Sequence, residues 1–126
     1  MNCQSLKNKS YKILGYLEEN KVNVACLQET WLKPTDKSVY RLFQENGYKI
    51  FKRERTASKG GGLAILYNPE LNMRRCYTNQ DESYETFEYI SCKFIWGNKQ
   101  YNLVNMYRLP YSQKHRFTVK KFFAVC

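Results

Sequence analysis

The sequence predicts an α/β protein on three observations. Beyond Lys9, apolar side chains recur at helical spacing, at Tyr11, Ile13, Leu14 and Leu17. Residues 22–27 then form a short, uncharged and partly β-branched run, which is typical of a buried strand. Several further strand-like runs follow along the chain. We therefore expect a strand-helix-strand unit at the start and a sheet that incorporates the later strands.

The first part of the chain alternates helices with strands. Residues 1–6 predict the tail of a strand that enters a turn, and Ser5 or Asn8 is placed to cap the first helix. After the strand at residues 22–27, Thr35 or Asp36 can cap a second, short helix. The apolar face of that helix consists of Val39, Leu42 and Phe43.

The rest of the chain is dominated by strands. They are expected over residues 48–51, 63–67, 71–77, 87–96 and 100–107. Residues 52–59 form a basic connection, residues 79–85 a polar loop, and residues 113–123 a final helix. Gly97-Asn98 is typical of a two-residue hairpin turn. The run of Gly60, Gly61 and Gly62 permits positive φ or close backbone approach, and we interpret it as a tight turn, because phosphate-binding loops open a helix rather than a strand.

The charge of the chain points to a polyanionic partner. It carries 21 Lys and Arg against 11 Asp and Glu, which gives a formal net charge of +10. Such an excess favours nucleic acid through counterion release, and 11 tyrosines and two tryptophans are interleaved with the basic residues as possible stacking groups. The alternative is that the charge serves solubility alone.

Cysteine usage indicates a reducing, intracellular environment. The five cysteines stand at positions 3, 26, 76, 92 and 126 and include no C-x-x-C pair, so neither a zinc site nor a disulfide framework is predicted. The first ten residues lack the apolar segment of a signal peptide, and no apolar run approaches the length of a membrane span. We expect no membrane attachment and no small-molecule cofactor, and the oligomeric state stays open.

Polar residues lie at three predicted strand ends: Asn2, Glu29, and Tyr107 with Arg108. The ends of strands are where α/β sheets bind ligands. There Glu29 can hold a divalent cation, and Asn2 can bond a phosphate oxygen or a metal-bound water. Tyr107 can bond a phosphate beside the charge of Arg108. The residues alone leave two interpretations open, a metal- and phosphate-binding site or ordinary surface structure. A turn cap, the start of a loop and solvated basic residues would give the same pattern.

Four blocks in the sequence resemble one superfamily in their order and approximate spacing. They are residues 2–6 (NCQSL), 26–32 (CLQETWL), 59–67 (KGGGLAILY) and 105–110 (NMYRLP). The chain is similar to the endonuclease/exonuclease/phosphatase superfamily, and especially to the apurinic-type endonuclease domain of non-LTR (LINE-type) retrotransposons, which accompanies a reverse transcriptase. The most specific of the four blocks is the one that contains Glu29.

The resemblance implies a four-layer α/β sandwich, two mixed sheets flanked by helices, of which this chain forms about half. It implies that Glu29 is a metal ligand, that Asn2 helps to position metal and phosphate, and that Tyr107 contacts phosphate. The cofactor would be Mg²⁺ or Mn²⁺. The reaction would be metal-assisted phosphodiester hydrolysis that nicks one DNA strand and leaves a 3′ hydroxyl to prime reverse transcription, which implies a nuclear site of action.

Several motifs of the superfamily are absent from this sequence. It has no Gly-Asp-x-Asn motif, no later Ser or Thr with an Asp, and no closing Asp-His or Ser-His pair. His115 comes too early to replace that pair, and Leu109 stands where a Pro is usual. We therefore expect a single, incomplete domain over residues 1–126 that is inactive alone and that aggregates or folds only in part.

Two other functions are compatible with the sequence. One is a non-catalytic nucleic-acid-binding protein that uses Arg53, Arg55 and Lys59 as a basic surface, and these residues with Arg108 are also the expected substrate contacts of an endonuclease. The other is a phosphomonoesterase of the same superfamily, such as a phosphoinositide phosphatase.

Overall fold

Two helices and two three-stranded sheets form the part of the chain that the computed structural model describes, residues 1–54, 61–78 and 87–108. The helices are α1 (Leu6–Glu19) and α2 (Lys37–Glu45). The first sheet consists of β1 (Val24–Gln28), β2 (Lys49–Arg53) and β3 (Leu63–Tyr67), in the order β1-β3-β2. The second consists of β4 (Arg74–Thr78), β5 (Phe87–Trp96) and β6 (Lys99–Arg108), in that order.

Neighbouring strands in both sheets run antiparallel. A single parallel bridge between Asn2 and Gln28 adds the start of the chain to the first sheet beside β1. The expected first strand is thus present as one bridge. A 3-10 turn at Pro69–Leu71 follows β3, and the side chain of Asn68 caps it by accepting a hydrogen bond from the Glu70 amide at 3.0 Å.

The central strand β3 separates two apolar cores. Its side chains alternate between the two faces of the first sheet, as the pleat of a strand requires. Ala64 and Leu66 pack with the buried faces of α1 and α2, whereas Leu63 and Ile65 pack with Ile90 of the second sheet. We call the space between the sheets the inter-sheet core. The arrangement is helices, first sheet, second sheet, so the expected α/β class with two packed sheets is confirmed.

Several sequence expectations need correction. Helix α1 begins at Leu6, three residues before the periodic pattern, and Tyr11 is 79% exposed while Ser10 is buried. The residue before α1, Ser5, makes no side-chain capping bond. Strand β2 extends to Arg53, so the basic segment expected as a connection begins inside a strand.

The hairpin between β5 and β6 matches its expectation. Gly97 and Asn98 both have positive φ, 55° and 66°, as a two-residue turn of this hand requires. The expected loop at residues 79–85, the helix at residues 113–123 and His115 lie outside the described residues. In the described part of the chain, no helix combines the length and the apolar character needed to cross a membrane.

Candidate functional site at the edge of the two sheets

Glu29 occupies the first position after β1, in a backbone conformation that residues with a side chain rarely adopt. Its φ is 54°, and that of Trp31, two residues on, is 56°. The turn is held from both sides: the Glu29 carbonyl accepts from the Ser5 amide at 2.9 Å, and the Thr30 amide donates to the Gly62 carbonyl at 3.2 Å. Backbone strain of this kind persists where the surrounding structure enforces it, and it is concentrated at functional sites.

Tyr107 of β6 brings the second sheet to this turn. Its hydroxyl donates a short hydrogen bond to the Oε1 atom of Glu29, a residue 78 positions earlier in the chain. Tyr107 is half-buried in the inter-sheet core, so its ring is anchored while its hydroxyl reaches the carboxylate. The structure therefore joins the two residues that the sequence nominated independently. Arg108, the next residue, is exposed.

Asn2 pairs with the residue that immediately precedes Glu29, at the edge of the first sheet. It forms the parallel bridge with Gln28, and the flanking bonds run from the Cys3 amide to the Gln28 carbonyl at 2.9 Å and from the Gln28 amide to the Met1 carbonyl at 2.8 Å. Asn2 is exposed. The backbone thus places Asn2 next to the residue that precedes the candidate metal ligand.

Two amide side chains that sequence reasoning did not single out lock the sheets together at the site. Asn105 is 1% exposed, and its Nδ2 atom donates to the carbonyls of Leu27 and Ala64, both at 3.0 Å. The Nε2 atom of Gln28 donates to the Met106 carbonyl at 2.7 Å. A buried amide such as that of Asn105 is costly unless satisfied, so its two bonds, with that of the half-buried Gln28, fix one relative position of the sheets. The sequence signal for Asn105 is weak, because the same strand also carries Lys99, Gln100 and Asn102.

The glycine run supplies the close approach that the sequence predicted. Gly61 and Gly62 have φ of 68° and 89°. A Cβ atom on Gly62 would lie 2.6 Å from the Thr30 Oγ1 atom, which is too short for any real contact. The Gly61 carbonyl accepts from the Trp31 amide at 3.0 Å. The two glycines therefore pack directly against the turn that carries Glu29. Gly60 lies outside the described residues.

Arg53 is not the surface residue that the sequence indicated. It is 5% exposed, and its guanidinium forms an ion pair with Glu88 at 3.1 Å. The alternation of β2 turns Arg53 inward, where the 2% exposed carboxylate of Glu88 neutralises it. A buried, paired guanidinium is not available to a phosphate backbone. The other two residues of the expected basic surface, Arg55 and Lys59, lie outside the described residues.

The thiol of Cys3 lies against the same strand end. Its Sγ atom donates to the Gln28 carbonyl at 3.2 Å. Burial raises the pKa of Cys3 from 9.0 to about 11, with a smaller opposing effect from a backbone hydrogen bond and nearby positive charge. Cys3 is therefore a protonated packing residue at neutral pH and no nucleophile.

The donor set suits a cation held by one carboxylate. Among the residues that the structure describes, no three His, Cys, Asp or Glu side chains converge into a metal-binding group. Zinc sites are closed by three or four such ligands, whereas Mg²⁺ is commonly held by one or two carboxylates, several waters and substrate phosphates. Glu29, a half-buried carboxylate directly after β1, fits this second pattern.

The fold has clear counterparts among solved structures. An AP endonuclease from Archaeoglobus fulgidus superimposes with a TM-score of 0.69 at 18% identity, over 98% of this chain and 47% of that one. A truncated Caenorhabditis elegans TDP2 gives 0.68 at 18% identity, over 98% and 47%. The 3′ phosphatase NExo (D146N) from Neisseria, bound to a product DNA hairpin, gives 0.65 at 17% identity, over 98% and 47%.

The chain shares its fold with these three proteins. The chain spans about half the length of each of them. No family model and no curated protein matches the sequence. The fold expected from the four sequence blocks is therefore confirmed, while membership of the superfamily and the retrotransposon resemblance stay interpretations of the sequence.

Proposed function

We propose that the chain provides the metal-binding half of a retrotransposon-type DNA endonuclease, with Mg²⁺ or Mn²⁺ as its cofactor. The contact between Tyr107 and Glu29 carries the proposal, because it joins the ends of two different sheets at one carboxylate. A tyrosine hydroxyl and a carboxylate with a cation are complementary to a phosphate group. DNA as the substrate would make the nucleus the site of action.

Each residue of the site has a distinct role in this proposal. Glu29 holds the cation, and Asn2 orients the phosphate or a cation-bound water. The single hydroxyl hydrogen of Tyr107, donated to Glu29 in this structure, would pass to a phosphate oxygen when the Glu29 carboxylate holds the cation. Arg108 adds positive charge at the exposed end of β6. A divalent cation at such a site supplies a Lewis acid for a phosphoryl oxygen.

The 126 residues lack the other half of the reaction chemistry. Their sequence contains no Gly-Asp-x-Asn motif and no Asp-His or Ser-His pair to activate water or stabilise the leaving oxygen. Loss of members of a cooperating site lowers rates by orders of magnitude. We therefore expect residues 1–126 to bind the cation and DNA without measurable turnover of phosphodiesters or phosphomonoesters.

A Mn²⁺ titration of the chain tests the proposal. Wild type and Glu45→Ala, which removes an exposed carboxylate at the end of α2, should bind one Mn²⁺ ion with the same affinity. Glu29→Ala should abolish that binding. Equal Mn²⁺ affinity in wild type and Glu29→Ala would refute the proposed site.

A plasmid assay separates the candidate activities. Supercoiled DNA with Mg²⁺ reports nicking, and a soluble phosphomonoester reports phosphatase activity. We expect neither above the level of Glu29→Ala. Nicking that Glu29→Ala loses would show that this half of the site is sufficient for catalysis, and Glu29-dependent release of phosphate would favour the phosphomonoesterase.

A non-catalytic nucleic-acid-binding role is the second candidate. The formal charge of +10 favours it. Because Arg53 is buried, the basic surface proposed for this role consists of Arg55 and Lys59, which lie outside the described residues, together with the exposed Arg108. DNA binding that is unaffected by Glu29→Ala and by removal of divalent cations would favour this candidate.

A further inference from the structure

The buried ion pair between Arg53 and Glu88 has no part in the proposed chemistry, yet it lies directly behind the site. The pair joins β2 of the first sheet to β5 of the second at 3.1 Å, and both side chains are at most 5% exposed. Burying two charges is seldom the most stabilising way to fill a core, because desolvation offsets their attraction. Its position therefore points to a more specific role.

Glu88 is the start of a chain of hydrogen bonds that ends at the Glu29 turn. Its Oε2 atom accepts from the Gly62 amide at 2.8 Å. The Gly62 carbonyl accepts in turn from the Thr30 amide at 3.2 Å. Glu29 immediately precedes Thr30, so the carboxylate of Glu88 supports the turn through a single glycine.

The residue that pairs with Glu88 across β5 and β6 is the tyrosine of the site, Tyr107. One member of the pair therefore hydrogen-bonds the Glu29 carboxylate, and the other supports the backbone that follows Glu29. A shift of this residue pair would move the contact to the Glu29 carboxylate and the contact to the Gly62 amide together.

We propose that Glu88 is a positioning residue for Glu29. Its side-chain oxygen fixes Gly62 and through it the strained turn. Arg53 neutralises the buried charge of Glu88, so a neutral acceptor at position 88 does not need it. The inference rests on the proposed function in taking the cation as the ligand of Glu29. Supporting residues of this kind commonly change metal affinity about 10- to 100-fold when they are altered.

Two double variants isolate the contact that matters. Arg53→Met with Glu88→Met removes both charges and the acceptor for the Gly62 amide. Arg53→Met with Glu88→Gln removes both charges but keeps a side-chain oxygen that can accept from Gly62. Ile90→Ala, two residues along β5 in the inter-sheet core, is a control for general loss of stability.

Two measurements are made on each folded variant. Amide hydrogen exchange of Thr30 and Trp31, expressed relative to Leu17 of α1, reports the turn without reference to function. Mn²⁺ affinity reports the site. The Met/Met variant should show exchange at least tenfold faster at both amides and Mn²⁺ affinity about tenfold weaker. The Met/Gln variant and Ile90→Ala should stay within about threefold of wild type in both measurements.

Equal behaviour of the two double variants would overturn the inference, because the acceptor for Gly62 would then be irrelevant. A Met/Met variant that fails to fold while the Met/Gln variant folds would also overturn it, because the acceptor for Gly62 would then serve global stability rather than the position of the turn. Failure of the proposed function is recognised separately, as equal Mn²⁺ binding by wild type and Glu29→Ala. In that event the relative exchange rates alone decide whether Glu88 positions the turn.

Discussion

At the scale of single residues, the site depends on positions where the backbone itself is unusual. Glu29 and Trp31 have positive φ although both carry side chains, and Gly62 leaves no room for one. Favourable contacts elsewhere must offset about 1–3 kcal/mol for each strained residue. Hydrogen bonds from Ser5 and to Gly62 supply such contacts.

Gly62→Ala should destabilise the protein by about 2–4 kcal/mol, because a methyl group would clash with Thr30 Oγ1 and the positive φ is unfavourable for alanine. Urea unfolding measures the change. Gly97→Ala is the matched control, since its φ is also positive, 55°, but the space around it is open. We expect about 1 kcal/mol there. Equal losses in the two variants would contradict a clash at Gly62.

Tyr107→Phe tests the hydroxyl that reaches Glu29. The ring still fills its place in the inter-sheet core, so the fold should be retained. Loss of one hydrogen bond to phosphate should weaken Mn²⁺-dependent DNA binding by at most about tenfold, measured by fluorescence anisotropy. Tyr101→Phe, on the same strand but stacked on Phe94, is the control and should bind normally. Identical affinity in both variants would argue against a phosphate contact by Tyr107.

The alkaline limit of stability should depend on Cys3. Burial raises the pKa of its thiol from 9.0 to about 11, so from about pH 9 upward the unfolded chain loses this proton more readily than the folded one. The contribution of Cys3 to the free energy of unfolding is therefore fully present below pH 9, and it is lost as the pH rises through 11. Cys3→Ala should make this decline shallower in urea unfolding between pH 8 and 11. Parallel declines would show that Cys3 titrates normally.

Single residues also show how far sequence interpretation reaches. Glu29 and Tyr107 were nominated separately, and the structure brings them into contact. Arg53 was misassigned because an arginine beside Lys52 and Glu54 is typical of a surface, and its partner Glu88 is distant in sequence. Asn105 was overlooked because its partners are backbone carbonyls, which no side-chain pattern reveals.

At the scale of elements, strands bounded by strong turn signals were the most predictable. β3 and β5 have the expected bounds, because glycines precede β3, Pro69 soon follows it, and Gly97 follows β5. Helix α1 was less well predicted. Its buried face includes Ser10 and excludes Tyr11, since tertiary packing selected a stripe that hydrophobicity alone did not define.

Gly15→Ala should stabilise α1. Gly15 lies inside the helix, is exposed, and has no neighbouring atom within 4 Å of an added Cβ. Alanine lowers the backbone entropy of the unfolded chain and favours the helix, which should add about 0.5–1 kcal/mol to the free energy of unfolding. The mid-temperature of thermal unfolding should rise, with Mn²⁺ affinity unchanged. A fall in that temperature would reveal an unrecognised contact at Gly15.

At the scale of the whole molecule, charge governs the expected encounter with DNA. The net charge of +10 is a property of composition, and it was readable from the sequence, whereas the residues that face a partner were not. The packing of the two sheets could not be predicted from hydrophobic periodicity, because periodicity does not show which sheet faces contact each other. It was implied only by the resemblance of four short blocks.

DNA affinity should fall linearly with salt on a double-logarithmic plot, because binding releases counterions from phosphates. Arg108→Ala should lower the magnitude of that slope by about one, as expected for one lost phosphate contact. Lys12→Ala, an exposed change on α1, should leave the slope unchanged. A slope near zero in wild type would rule out phosphate-driven binding.

The bond between Tyr107 and Glu29 also has a consequence for the order of folding. The β5–β6 hairpin closes over a two-residue turn and can form early, whereas the bond to Glu29 spans 78 positions and closes a long loop. Contacts of such high sequence separation slow the search for the native state. We therefore expect the functional edge to be assembled last, after both sheets exist, and substitutions at Tyr107 to change the unfolding rate far more than the folding rate.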